Sequence, residues 1–171
     1  MELDAWHDLF VAAAGAAAAL AGLIIVAMSV NIKEIIAIRS MPSRAGASIA
    51  SLLLIVVVSI AALIPEQPAW VLGLETLVAS LIVLFFTADA MMRMIGERRA
   101  SKPGDARRPI WGIALNALLG ALQVLPFTIG GICLVAGAGV GVGLAWIAAG
   151  ILFVFIGAVL NAWVMLVEIL R

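Results

Sequence analysis

The apolar residues of the chain fall into five long runs that carry few charges. Each run is long enough for a helix that crosses the hydrocarbon core of a membrane, which takes about 20 residues. The runs predict transmembrane spans at about residues 9–32, 47–64, 70–95, 110–135 and 144–170. The connections are too short for a soluble domain, so residues 1–171 are expected to form a single transmembrane domain.

The composition strengthens this prediction. Hydrophobic residues make up 65% of the 171 residues and charged residues only 12%, whereas a soluble domain is about half apolar and a quarter charged. The predicted fold class is therefore all-α, a polytopic membrane helical bundle with five transmembrane helices. The acidic N-terminus lacks the basic region of a signal peptide, so the first run is kept as a span.

The charged residues are sorted along the chain in a way that predicts an orientation. All ten basic residues lie where the first and third spans lead into the next span, or at the C-terminus: Lys33, Arg39, Arg44, Arg93, Arg98, Arg99, Lys102, Arg107, Arg108 and Arg171. Basic residues favour the cytoplasmic side. We therefore expect the N-terminus outside and the C-terminus in the cytoplasm, in a multi-pass protein of the bacterial inner (plasma) membrane.

The first span is unusual in its small side chains. Ten of the thirteen residues in FVAAAGAAAALAG, residues 10–22, are Ala or Gly. Gly15 with Ala19, and Ala18 with Gly22, have the spacing that lets helix backbones approach closely in lipid. The pattern predicts that the first helix is central, either within the protomer or at the axis of an oligomer.

A few amides and one carboxylate occur at membrane depth, where such groups are costly and often functional. They form a predicted polar intramembrane cluster of Asp89, Asn116, Gln123 and Asn161. Helical spacing places Asn116 and Gln123 on one stripe with Gly112 and Gly120, and Asn161 on another with Gly150, Gly157 and Glu168. The stripes predict either a hydrogen-bonded seam between the fourth and fifth spans or a polar cavity facing the cytosol.

Two local patterns accompany this cluster. Arg93 follows Asp89 by four residues, which predicts an ion pair near the membrane surface. Pro126 interrupts the fourth span, with Thr128 and Gly130 soon after it. A kink is expected there, which shapes packing or frees carbonyl oxygens for an ion.

The chain offers little for catalysis. It has one histidine, His7, and one cysteine, Cys133, and it contains neither a zinc motif nor a nucleophile elbow. We predict a protein that is not an enzyme and has no cofactor, no metal site and no nucleic-acid partner. A weak metal site at Asp4, His7 and Asp8 is the alternative to interfacial solvation, and an intermolecular disulfide is the alternative to simple packing of Cys133.

The segments GAAAALAGLIIVAMSVNI and LNAWVMLVEILR, with the PSRAG motif between them, resemble a family of small five-helix bacterial integral membrane proteins. Some members of that family are labelled by similarity as modulators of a membrane-bound protease. The resemblance implies the same five-helix fold and supplies no catalytic residues.

Two functions follow as hypotheses. The first is a homo-oligomeric channel or small-solute or ion pathway, because one protomer is small and has much helix-contact surface. The second is a non-catalytic accessory or regulatory subunit that binds another membrane protein, such as a membrane protease.

Overall fold

The computed structural model describes residues 4–37, 41–100 and 110–169. In those ranges the chain forms a short 3-10 turn, Asp4–Trp6, followed by six α-helices: α1 His7–Val30, α2 Ile32–Ala37, α3 Met41–Ala62, α4 Ala69–Ala100, α5 Ile110–Val135 and α6 Val140–Ile169. Within the described part, all but α2 are long and apolar enough to cross a membrane. The prediction of an all-α protein with five spans is confirmed, and the chain is a multi-pass membrane protein.

Helices α3 to α6 pack in sequence, and α6 returns to α3, so that the four helices form a ring. We call this the four-helix ring. Neighbouring helices run in opposite directions, as in an up-and-down bundle. The end where α3 begins and α4 ends is called the Arg-rich end, because it carries Arg44, Arg93 and Arg99. The end with the turns at residues 63–68 and 136–139 is called the loop end.

Two helices begin earlier than the hydrophobic pattern predicts. Helix α3 starts at Met41 and takes in Arg44, whose side chain is buried rather than left in a loop. Helix α6 starts at Val140, four residues before the predicted start of the fifth span at 144. Only residues 136–139 turn, and Gly137 and Gly139 take the positive φ values that glycine tolerates best.

The first helix is not central within the protomer, and that alternative of the prediction is wrong. Helix α1 packs chiefly against α3, outside the ring. The buried residues of α1 form a single stripe: Phe10, Ala13, Ala17, Ala21 and Ile24.

The predicted helix-packing residues Gly15, Ala18, Ala19 and Gly22 all lie on the exposed side of α1. A Cβ added at Gly15 or Gly22 would meet no atom within 4 Å. The small residues of α1 predicted close approach of other helices on several sides. In the protomer α3 is its main neighbour, and it packs against only one face of α1. Its position at an oligomer axis stays a prediction.

Candidate functional site

A cavity of about 440 Å³ lies inside the four-helix ring, in the half nearer the Arg-rich end. All four helices of the ring contribute to its wall. The polar side chains that line it are Arg44 and Ser48 from α3, Thr87 from α4, Asn116 and Gln123 from α5, and Asn161 from α6. Most of the remaining wall is aliphatic or methionine side chain, which is the usual makeup of a small-molecule site.

The cavity exists because α5 packs tightly along only half of its length. From residue 114 to residue 123, no described side chain of α5 is buried. From Val124 onward, buried residues recur at helical spacing, among them Phe127 and Leu134. The first half of α5 therefore stands away from α4 and α6, and the space between them is the cavity.

Glycines close the ring toward the loop end. A Cβ on Gly130 of α5 would lie 2.7 Å from the carbonyl oxygen of Gly143 of α6. A Cβ on Gly73 of α4 would lie 2.8 Å from the carbonyl oxygen of Gly131 of α5. Both distances are shorter than a carbon can tolerate, so only glycine allows these backbones to meet. The cavity ends before this closed region.

Arg44 is the main polar feature of the cavity wall. Its side chain is only 6% exposed, and its Nη2 donates a hydrogen bond of 3.0 Å to Oδ1 of Asn161. The Nδ2 of Asn161 donates in turn to Oγ of Ser48. Buried charges at membrane depth are costly unless such groups satisfy them. The network joins the start of α3 to the last third of α6.

Three of the four residues of the predicted polar cluster line this cavity: Asn116, Gln123 and Asn161. Asp89 does not. Its Oδ2 accepts a hydrogen bond of 2.8 Å from Nε of Arg93, four residues later on α4, as the spacing predicted. Both side chains of this pair are substantially exposed, at 35% and 53%. Asp89 thus belongs to the helix surface rather than to the cavity.

The predicted seam between the two stripes is present in part. Gly157 of α6 lies directly against the amide of Gln123 of α5, and Gly150 lies against the ring of Phe127. Asn161, however, bonds to α3 instead of α5. Gly120 faces open space, where an added Cβ would meet nothing within 4 Å. The surroundings of Gly112 and the side chain of Glu168 are not among the parts that the structure describes.

The residues of the predicted kink lie within a helix that continues through Pro126. Thr128 bonds the carbonyl of Val124 at 3.2 Å and the hydroxyl of Ser80 on α4 at 3.4 Å. Gly130 makes the close contact with α6. These residues take part in packing between helices, and the ion-binding alternative stays untested.

Three residues of the cavity wall were not predicted from the sequence: Arg44, Ser48 and Thr87. Arg44 was counted only as a loop charge that sets the orientation. One signal could have found it, since Pro42 is a residue that favours the first turn of a helix. A helix beginning near Pro42 would have carried Arg44 and Ser48 toward the membrane on neighbouring turns.

The remaining candidates are the residues of the alternative metal site and the single cysteine. His7 and Asp8 are exposed, and Cys133 is a half-buried free thiol. Among the residues that the structure describes, no three His, Cys, Asp or Glu side chains come close enough to hold a metal ion.

Comparisons of the chain with models of protein families, with curated proteins and with solved structures found no match. Membership of the family of small five-helix proteins stays a prediction.

Proposed function

We propose that this protein binds a small solute in the cavity of its four-helix ring, as one step of a pathway through the bacterial inner membrane. The N-terminus lies outside and the C-terminus in the cytoplasm. The cavity then opens toward the cytoplasm, because the Arg-rich end is the end that the positive-inside rule assigns to that side. The proposed role is not enzymatic and needs no cofactor and no nucleic acid.

The observation that carries this proposal is the polar wall of the cavity within an otherwise apolar bundle. A buried arginine, three amides and two hydroxyls converge on one space. Polar groups at membrane depth face either one another or a water-filled cavity. Gly120 and the aliphatic wall leave open space beside these polar groups. Such a wall suits a bound solute better than a purely structural core.

The glycine contacts close the ring at the loop end, so a static pore through one protomer does not fit this geometry. The pathway needs a movement of the second half of α5, which carries Gly130 and Gly131. A solute bound near Gln123 would reach the other side only when α5 separates from α4 or α6. The proposal is thus a gated pathway.

A flux assay tests the pathway. Vesicles that contain the purified protein are loaded with acetate, glycine or glycerol, and release is followed with empty vesicles as the reference. We expect faster release of at least one solute, and slower release in Gly120→Leu, whose side chain would narrow the cavity. If vesicles with folded wild-type protein release none of the three solutes faster than empty vesicles, the proposed pathway is wrong for these solute classes.

The exposed small face of α1 supports a second candidate. We propose that this face, defined by Gly15, Ala18, Ala19 and Gly22, contacts another transmembrane helix, either in a second copy of the chain or in a partner membrane protein. If the contact is with a second copy of the chain, the protein is a homo-oligomer and the contact holds the copies of the pathway together. A partner such as a membrane protease would make the chain an accessory subunit.

Purification in a gentle detergent separates these outcomes. The double variant Gly15→Leu and Gly22→Leu should dissociate the oligomer without unfolding the protomer, because neither position has a neighbour within 4 Å. Val26→Leu, on the exposed side of the same helix, is the control. A wild-type protein that stays monomeric, and that gains a second membrane protein when purified from its own membrane, would favour the accessory role.

A further inference from the structure

The amide of Gln123 is the polar group of the cavity wall that is left for a ligand. The other polar side chains of the wall have partners within the chain: Arg44, Ser48, Thr87, Asn116 and Asn161. Between described residues, no hydrogen bond engages the amide of Gln123. This group has two N–H donors and one carbonyl acceptor, and leaving them unused at membrane depth is costly. A molecule in the cavity can use both kinds of group.

Glycine on the neighbouring helix gives this amide its place. Gln123 lies near the middle of the 26-residue helix α5, and its side chain lines the cavity. A Cβ added at Gly157 of α6 would lie 2.9 Å from Cδ of Gln123 and would collide with Nε2. Any larger residue at 157 would therefore displace the amide. At this depth water competes little for a hydrogen bond, so a bond to the amide is strong.

Most of the remaining wall is apolar. Leu84, Met91 and Met94 come from α4, and Leu119 comes from α5. Methionine side chains are flexible and adapt to ligands of varied shape. A hydrocarbon chain makes better contact with these side chains than a fully polar solute does.

The wall also borders the bilayer. Leu84 of α4 and Leu160 of α6 line the cavity, yet 49% and 45% of their surfaces remain exposed. Both helices are neighbours of α5, and from residue 114 to residue 123 no described side chain of α5 is buried. A molecule dissolved in lipid therefore reaches the cavity beside this half of α5 without crossing water.

From these observations we infer that the ligand is an uncharged amphiphile whose head both donates and accepts hydrogen bonds, such as an alkyl amide. Its head pairs with the amide of Gln123, and its chain lies along Leu84, Met91 and Leu119. A neutral head suits this depth because an ion there loses its hydration. The volume of about 440 Å³ falls in the range of about 300–1,000 Å³ for small-molecule pockets. The inference rests on the proposed function for the site, but it concerns binding alone.

Binding is measured in nanodiscs of zwitterionic lipid with three probes of equal chain length: octanamide, methyl octanoate and octanoate. Uptake by empty nanodiscs is subtracted for each probe. Octanamide should bind at least about fivefold more tightly than methyl octanoate, which accepts hydrogen bonds but donates none. It should exceed octanoate by at least the same factor, because the carboxylate is charged. A smaller difference from either probe would overturn the inference.

A variant of the amide tests the head of the ligand. Gln123→Leu should remove the preference for octanamide over methyl octanoate and leave the thermal stability unchanged or higher, because no described bond is lost. A purely structural role of the amide would instead lower the stability and keep the preference. A folded Gln123→Leu protein that still prefers octanamide would overturn the inference.

A second pair of variants tests the location without touching Gln123. Gly120→Leu narrows the cavity and should weaken octanamide binding at least about fivefold. Leu118→Phe adds bulk to the same helix at a position that is 57% exposed, so it is the control and should leave the affinity unchanged. Undiminished affinity in Gly120→Leu, or an equal loss in Leu118→Phe, would overturn the assignment even if Gln123→Leu does not fold.

The flux assay separates this inference from the proposed pathway. Octanamide binding without solute release would keep the inference and contradict the pathway. Solute release without octanamide binding would do the reverse.

Discussion

The two ends of the four-helix ring are built from the same helices but differ in how those helices meet. At the loop end, Gly130 and Gly73 allow backbones to touch, and large side chains such as Phe127 fill the centre. At the Arg-rich end, the helices stand apart around a cavity of about 440 Å³ with amides and an arginine on its wall. The loop end is closely packed, whereas the Arg-rich end encloses the cavity.

This difference between the two ends shows how a small membrane protein can keep a cavity open. Lipid provides no hydrophobic driving force between helices, so close packing is what holds them together. Glycine contacts concentrated at one end fix α4, α5 and α6 relative to one another. The other end can then hold polar groups and empty space without losing the bundle.

The largest effect on this comparison is expected at the closed end. Gly130→Ala puts a carbon against the backbone of Gly143 and Ile147, which cannot yield without moving α6. We expect the free energy of unfolding to fall by about 1–3 kcal/mol, the usual cost of overpacking. Gly120→Ala on the same helix should be neutral or stabilising by up to about 1 kcal/mol, because the added carbon meets nothing. Both are measured by unfolding in mixed micelles.

Equal loss of stability in these two glycine variants would mean that the cost does not come from the close contact of Gly130, because the change to alanine raises helix propensity at both positions. The contrast between the two ends would then have no basis in packing.

A smaller effect is expected at the polar wall. Asn161→Leu removes one acceptor of Arg44 and the donor to Ser48. Hydrogen bonds between membrane helices average about 0.6 kcal/mol, and a stranded buried partner raises the cost, so we expect a loss of about 1–2 kcal/mol. Thr87→Val is the control, because the hydroxyl of Thr87 bonds only carbonyls of its own helix among the bonds described.

If Asn161→Leu proves as stable as Thr87→Val in thermal unfolding, the Arg44 network does not join α3 to α6. The amides would then serve the ligand alone.

The smallest effect is expected on the outer surface of the open end. Asp89→Asn breaks an ion pair with Arg93 that is exposed to its surroundings. Surface pairs contribute little, so the melting temperature should not change measurably. Solute release should also be unchanged. A drop in solute release would place Asp89 in the pathway and would contradict its assignment to the helix surface.

Much of the fold could be predicted from hydrophobicity. A membrane span is a long apolar run, and it can be recognised in the sequence without knowing which helices it packs against. The spans of α5 and α1 were predicted closely for this reason. The start of α3 was not, because a buried arginine looks like a loop residue until its partner Asn161 is known. Whether a small residue makes contact depends on the neighbouring helix, which explains why Gly15 is exposed while Gly130 is enclosed.

The candidate site was predictable only in part for the same reason. Amides at membrane depth stand out in a sequence, and Asn116, Gln123 and Asn161 do line one cavity. Asp89 stood out equally, but its local pair with Arg93 turns it outward. The cavity itself depends on the space between the first half of α5 and its neighbours, and no residue pattern predicts that space.

The most direct test of the account asks whether the inside of the ring is open while the outside of α5 faces lipid. In a Cys133→Ser background, single cysteines replace Gly120, which lines the cavity, and Leu118, which lies at the same depth on the outer side. A charged, water-soluble thiol reagent is then added to each face of reconstituted vesicles. We predict rapid labelling of Gly120→Cys from the face with the Arg-rich end and no labelling of Leu118→Cys. Labelling of neither cysteine, or of Leu118→Cys alone, would contradict the account.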